Sequence, residues 1–455
     1  MSESEASETG GKIYTFGSYR LGVHAKGADI DTLCIVPIHV SRQDFFGPFF
    51  EELKGMNDVT EITRVPEAYV PIMKLIFDGI SVWSFDLIDL LFCRLHLEAI
   101  PDNLNLLNNS LLKNLDEKCT LSINGSRTTD EILSLVPNVP TFHTALRCVK
   151  FWAQRMQRTV ITLGRSLYSN VMGYVGGVAC AILVARICQL YPNSSAFRVV
   201  SRFFAIYYSW KWPQPIMLKH IEDYHLNMRV WNPRVNPSDR NHRMPIITPA
   251  YPSMCSTHNV SNSTLRVMIA ELERGAKICI EIENGHATWA DLFAPSDFFA
   301  RFRHFIQIVG VCKDQEKFKM WSGFVESKIR LLVLKLEQVM ALVSAPPYPE
   351  GFEKTLYLQP DEHVFKYLQY LPQPDQQDVN KETTTEPTFT ISFYIALEIQ
   401  PPNGMPFDDV GSRKLNLSIP VAEFQRLCLG WDKYDSEMKL YIREIKRFPL
   451  ALLIC

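Results

Sequence analysis

The chain lacks an excess of either charge. Its 47 Lys and Arg stand against 49 Asp and Glu, a net charge of −2 over 455 residues. No global positive field advertises a nucleic-acid partner, so any such contact must come from a local patch. Cysteine pairs are missing too: the 11 cysteines are scattered and odd in number, with no CxxC spacing. That excludes a zinc ribbon and a disulfide framework. No uncharged apolar run reaches the ~18 residues that a spanning helix needs. The start, MSESEASETGG, is polar and acidic where a signal peptide is basic and then apolar. The expectation is an intracellular chain with no membrane partner, its sequons at Asn193, Asn259 and Asn262 incidental. What remains is the composition of a globular protein, 47% hydrophobic and 21% charged, and enough length for two to four domains.

Short β patterns come first. KIYTF (12–16) and ADIDTLCIV (28–36) read as strands around a Gly-rich loop, and SRQDFFGPFFEEL (41–53) as a helix starting at Ser41. VTEITRV (59–65), VPIMKLIFDG (70–79) and LIDLLFCRL (87–95) are further strand candidates. From about 100 to 290 the periodicity turns helical, over 129–137, 141–156, 170–191, 200–210 and 263–282. The proline-dense stretch RVWNPRVNPSDRNHRMPIITPAYP (229–252) predicts an ordered surface loop. Beyond 298 a strand (304–310), a helix (319–337), a strand (390–399), a helix (421–427) and a strand (438–445) suggest a small ferredoxin-like sandwich. Its linker at 370–387 reads as disordered. The whole is α+β, in three units: 1–98 catalytic, 99–297 helical and 298–455 RNA-binding.

Chemistry concentrates in FGSYRLGVHAKGADID (16–31). Gly17 and Ser18 make a tight turn whose amides and hydroxyl suit phosphate oxygens. Asp29 and Asp31 lie two apart on a strand, so both project from one face. Two adjacent carboxylates repel unless a hard cation sits between them, which is what Mg²⁺ or Mn²⁺ requires of its ligands. Asp89, within apolar IDLL on a later strand, supplies a third carboxylate and a natural proton acceptor. Asp86 is its rival, set in sequence that looks inserted. A GS turn or a DxD alone also occurs in ordinary loops; the three together are far more specific.

These residues resemble the GS…DxD…D pattern of the DNA polymerase β-like nucleotidyltransferases. The longer strings FGSYRLGVHAKGADIDTLCIVP, PDNLNLLNNSLLKNLDEKC, NGSRTTDEIL, YSNVMGYVGGVACAILVARICQLYPN, VWNPRVNPSDRNHRMPIITPAYP and NVSNSTLRVM resemble eukaryotic nuclear poly(A) polymerases, plant ones especially. They run nearly continuously over 11–340. The resemblance implies a catalytic palm, a helical central domain and a C-terminal domain like an RNA-recognition fold. It implies transfer of AMP from ATP to an RNA 3′ end by two-metal catalysis, with Asp29, Asp31 and Asp89 as catalytic residues and metal ligands. Phe16, Gly17, Ser18, Ala25, Ile30, Asn124, Lys150, Tyr168, Gly177 and Val178 would meet the nucleotide beside those three acids. Read from the residues alone, Lys150 is also explained as a snorkelling lysine, Gly176–Gly177 as tight helix packing, and Tyr168 as a core anchor.

The chain departs from that pattern at four places. Relatives carry a helical segment before the first strand, and here the strand comes almost at once. VWSFDL (82–87) looks inserted before Asp89, and QRTVITLGR (157–165) between Lys150 and Tyr168. A helix running on through the second insert would displace Tyr168 by more than ~10 Å, so looping out is the only way to keep both. Ala25 stands where relatives place a hydrogen-bonding residue near the triphosphate. Lys439, Arg443, Lys446 and Arg447 suggest a basic stripe for RNA phosphates. The expected setting is a monomer in the nucleus working with cleavage and polyadenylation subunits, the cytoplasm being the alternative because a basic tail is missing. The competing readings are a catalytically impaired RNA-binding scaffold and a terminal uridylyltransferase on the same palm.

Overall fold

The computed structural model describes residues 8–25, 28–77, 86–154, 156–158, 161–163, 165–357, 387–400 and 415–446. The first sheet is built from β1 (Lys12–Thr15), β2 (Ile30–Val36), β3 (Val59–Val65), β4 (Ile72–Phe77) and β5 (Asp86–Arg94), in the order β1-β2-β5-β4-β3. Only β2 and β5 run parallel. Strand alternation sorts the side chains. One face carries Met73, Leu75, Leu90 and Phe92 onto α2 (Arg42–Phe46) and α3 (Pro48–Lys54), whose Phe45, Phe46 and Phe50 complete the core. The helix expected over 41–53 begins at a Ser41 capping box as read, but it breaks at Gly47 before Pro48, which has no N–H to continue it. The other face is apolar at Leu33, Ile35, Leu91 and Cys93 and acidic at its end.

α4 (Glu117–Leu135) covers the apolar part of that second face, with Cys119 and Ile123 in the core of the first sheet. Leu106 and Leu112 join them, so packing on this sheet continues past residue 98. The sequence reading caught only the last turns of this helix. Its first half, CTLSINGSRTT, is poor in helix formers, and tertiary contacts override that. The buried Arg127 guanidinium donates through Nη1 and Nη2 to the Leu106, Asn108 and Tyr251 carbonyls and the Asn109 side chain, while its Nε has no hydrogen-bond partner among the described residues.

α5 (Val139–Ala153) ends where the second insert begins. In the insert and just before it, β6 (Met156–Arg158) pairs antiparallel with β7 (Ile161–Leu163), so α5 does not continue through it. α6 (Gly177–Leu190), α7 (Ala196–Tyr208) and α8 (Asn262–Glu283) complete the central layer. α6 starts later than the expected residue 170, because 170–176 forms turns with Gly173 at φ +85°. The proline-dense stretch is irregular apart from Pro237–Arg240, and its Trp231 and Ile247 pack with Cys255 in a small separate cluster.

The second sheet joins β8 (His304–Cys312), β9 (Phe352–Tyr357), β10 (Pro387–Ile399) and β11 (Lys439–Lys446) in the order β9-β10-β8-β11, all antiparallel. With α9 (Gln315–Leu336) and α10 (Ser418–Leu429) on one face this is the β-α-β-β-α-β ferredoxin-like sandwich. β9 escaped the sequence reading. Residues 370–386 of the expected linker lie outside the described residues, and Pro387 opens β10 opposite Tyr357. No described helix is long and apolar enough to cross a membrane. The basic stripe does not form as one: alternation along β11 puts Lys439 and Arg443 on one face and Lys446 on the other, and Arg447 lies outside the described residues.

Candidate active site

The parallel register of β2 and β5 sets Asp31 directly beside Asp89, and the antiparallel register of β4 sets Lys74 beside Asp89. Register partners share a face. Below them the same face is apolar, so the charges occupy its end, where Asp29 precedes β2 and is exposed. Asp89 is buried, and both its oxygens accept from Lys74 Nζ at 3.0 Å. Among the described residues Asp31 has no hydrogen-bonded cation, although the charges of Lys74 and Lys150 act on it. Burial, then the charges of Asp89 and Asp29, push its carboxyl up to about 6. Burial and Asp89 raise Asp29 as well. The three acids therefore feel one another, the electrostatic condition that a divalent cation relieves. Among the described residues no three His, Cys, Asp or Glu side chains stand close enough to enclose an ion as they lie. The Lys74 ammonium takes a cation's place at Asp89 instead. All-oxygen donors that repel one another fit hard divalent ions. Of the rival Asp86 only the backbone is described, opposite Phe77 at the start of β5.

The glycine turn meets these acids. Gly17 has φ +61°, and a Cβ there would collide with the Asp31 carboxylate, so only glycine lets the turn approach. Phe16 N donates to the Asp31 carbonyl at 2.9 Å. The Gly17 amide is already taken by Thr129 Oγ1 at 3.2 Å, which removes it from the donors expected for phosphate. Ser18 stays half-buried in α1 (Gly17–Arg20). α4 backs the turn closely: a Cβ on Gly125 would fall 2.8 Å from the Phe16 ring.

Lys150 on α5 donates to the Val23 carbonyl at 3.3 Å, within the loop between the GS turn and Asp29. Burial lowers its pKa, while Cys180 and Asp31 pull the other way. Tyr168 lies past the hairpin, bridged to Val175, with its hydroxyl 2.7 Å from where a Gly177 Cβ would sit. Burial raises its hydroxyl pKa most, with Cys180 and Asp31 adding. Asp31 thus acts on both Lys150 and Tyr168. Val178, beside Gly177 at the start of α6, is 39% exposed, an apolar surface left open. Asn124 donates to the Pro252 carbonyl at 3.5 Å, and its Oδ1 is buried with no hydrogen-bond partner among the described residues. Ile30 opens β2, and Ala25 is exposed.

Sequence reasoning missed Lys74, Thr129 and Arg147. Lys74 was the lone charge in the apolar run PIMKLIF, the same signal that marked Asp89. Arg147 Nη2 donates to the Gly22 carbonyl at 2.5 Å and, with Lys150, fastens the loop before Asp29.

Three family descriptions match nearly the whole chain: the poly(A) polymerase nucleotidyltransferase domain over 1–136, the poly(A) polymerase central domain over 141–295 and the poly(A) polymerase predicted RNA binding domain over 297–454. Poly(A) polymerase pla1 of Schizosaccharomyces pombe is 43% identical over 99% of this chain and 81% of its own length. Poly(A) polymerase PAPalpha of Candida albicans is 45% identical over 99% of this chain and 79% of its own. Among solved structures, the RNA terminal uridylyl transferase Cid1 is 16% identical with a TM-score of 0.44, covering 65% of this chain and 88% of that one, too slight a likeness to carry an argument. With its three domains matched in order, and relatives of this identity along its length, the chain belongs to the poly(A) polymerase family.

Proposed function

We propose that this chain is a template-independent polynucleotide adenylyltransferase that joins AMP from ATP to an RNA 3′-hydroxyl and releases pyrophosphate. The observation that carries the reading is the β2–β5 register, which pairs Asp31 with Asp89 at the end of one face, with Asp29 and the GS turn beside them. The family uses ATP and divalent metal and binds RNA. Two ions, Mg²⁺ or Mn²⁺, held by Asp29, Asp31 and Asp89, would lower the pKa of the 3′-hydroxyl and neutralise charge on the triphosphate.

The remaining roles belong to this chain's own groups. Lys74 must leave the Asp89 oxygens before Asp89 is free to bind an ion or take a proton. Among the described residues Lys150 has only a neutral carbonyl to give up, which leaves its charge available to the triphosphate. The Tyr168 hydroxyl, kept protonated by burial, is a donor at any physiological pH. Val178 offers an exposed apolar surface for adenine; Gly177, Phe16 and Asn124 are carried into the nucleotide site by the family resemblance. Ser18 offers a hydroxyl to the phosphates, and Ala25 and Ile30 contribute backbone alone. The three-part division into catalytic, helical and RNA-binding units follows the same reading, with 99–123 packed on the catalytic sheet. A monomer in the nucleus, joined to cleavage and polyadenylation subunits, completes the proposal; the fluorescence distribution of a tagged chain and co-purification test that part.

The activity is tested by offering the full chain an RNA oligonucleotide with each nucleoside triphosphate in turn, with Mg²⁺ or Mn²⁺. Metal-dependent extension with ATP in preference to the others is expected. Preference for UTP overturns adenine selection, and RNA binding without incorporation supports the impaired-scaffold reading.

A further inference from the structure

The four residues that return from the hairpin, Arg165–Tyr168, touch three parts of the molecule. Their backbone is stitched to the end of α5, with Arg165 N donating to the Trp152 carbonyl at 2.8 Å and Leu167 N to the Ala153 carbonyl at 2.7 Å. The Arg165 side chain is buried and grips α8 through Glu271, Nε to Oε2 and Nη2 to Oε1, both at 2.7 Å. The same guanidinium reaches the segment leading into β8: Asp297 Oδ1 at 3.2 Å, the Ala294 carbonyl at 3.1 Å and the Pro295 carbonyl at 2.5 Å. Ser166 sits at φ +55°, a conformation costly for a residue with a Cβ, and its hydroxyl lies 3.1 Å from the Tyr348 hydroxyl of the C-terminal unit. Two residues on comes Tyr168, against Gly177.

An ion pair buried this deeply stabilises little beyond what apolar packing at the same place provides, and apolar packing is continuous here between the helical layer and the second sheet. What the arrangement does provide is direction. Arg274 pins Glu271 from the other side at 2.9 Å and holds the Asp291 and Leu292 carbonyls. Arg165 therefore has five fixed acceptors and a single place to be. A strained residue held from both sides transmits position rather than absorbing it.

We propose that Arg165 and Ser166 form a strap through which the C-terminal unit, by way of Tyr348, and the segment leading into it, by way of Asp297, set the position of Tyr168 over the nucleotide site, making Arg165 a positioning residue for ATP. This rests on the reading of Tyr168 as a nucleotide contact. The strap carries both the position of the tyrosine and, at its upstream end, the hairpin.

Two measurements on the full chain test this: hydrogen exchange of peptides spanning 165–178, and steady-state kinetics in ATP with an RNA primer. Arg165→Met is expected to speed exchange there and to raise KM for ATP about tenfold while kcat stays within about threefold. Arg165→Lys, keeping the charge without the fork, should fall between. Tyr348→Phe removes one oxygen and should give the same pattern more weakly; it carries the test if Arg165→Met fails to fold. Arg165→Met combined with Tyr168→Phe should be no worse than the worse single variant. Unchanged exchange across 165–178, or fully additive losses, overturns the strap. Faster exchange together with a Tyr168→Phe variant of normal KM supports the strap and removes Tyr168 from the nucleotide site, so the two failures are told apart.

Discussion

The two sheets of this molecule treat polar side chains on their faces in opposite ways. In the second sheet, Gln307 is buried and fully engaged: its Nε2 donates to Ser392 Oγ at 3.3 Å and Tyr394 Oη at 3.0 Å, and its Oε1 accepts from Arg443 Nε at 2.7 Å. Arg443 is thereby a structural group, which further weakens the basic stripe read along β11. In the first sheet, Asp31 is left among acids with its carboxyl raised, and Asp89 has one lysine. A buried polar group with all its partners rigidifies a fold. Like charges crowded at the end of a face destabilise it and persist where chemistry needs them. The contrast assigns structure to one sheet and catalysis to the other.

That contrast breaks most visibly by mutation of the acids. Asp31→Ala or Asp89→Ala should cut AMP incorporation on the order of a thousandfold or more, while the thermal midpoint of the metal-free chain holds or, for Asp31→Ala, rises. Radiolabel incorporation and calorimetry check the two halves. Gln307→Ala should do the reverse. It takes away the oxygen used by Arg443 and the amide used by Tyr394, at a cost of about 1–3 kcal/mol in urea unfolding, with activity per folded molecule retained.

A subtler difference lies in pH. An acid whose folded pKa is raised contributes stability below the ordinary carboxylate range and loses it as pH rises through the folded value. The metal-free chain should therefore lose stability as pH passes through about 6, and Asp31→Asn should flatten that slope. Urea midpoints in EDTA between about pH 4 and 7 measure it, the loss being complete above about 6. The smallest effect is expected from the hairpin. Replacing 155–164 by a two-residue turn rejoins ends already held by the Arg165–Trp152 bond, so KM for ATP should stay within about threefold in the same primer assay.

Much of the site was legible because charge on an apolar strand is conspicuous: Asp29, Asp31 and Asp89 stood out for that reason, and so did the glycine turn. The looping-out of the insert followed from helix geometry alone. Lys74 carried the same signal but acquires meaning only through cross-strand register, which no local pattern contains. The first half of α4 was hidden because Asn124, Gly125, Ser126 and Thr128 favour turns, while the tertiary bonds that anchor the helix there are made by Arg127 to Leu106, Asn109 and Tyr251. β9 alternates exposed Glu353, Thr355 and Tyr357 with more buried Phe352, Lys354 and Leu356, and a lysine on its inner face leaves too weak an apolar signal to read. The basic stripe failed for a simpler reason, since spacing along the chain was taken for nearness on a surface.

The most direct test counts bound ions rather than products. Mn²⁺ titrated into the full chain with a non-hydrolysable ATP analogue, followed by electron paramagnetic resonance, should show binding that is lost in Asp31→Asn and in Asp89→Asn, each still folded. Wild-type Mn²⁺ affinity in either variant would contradict the account.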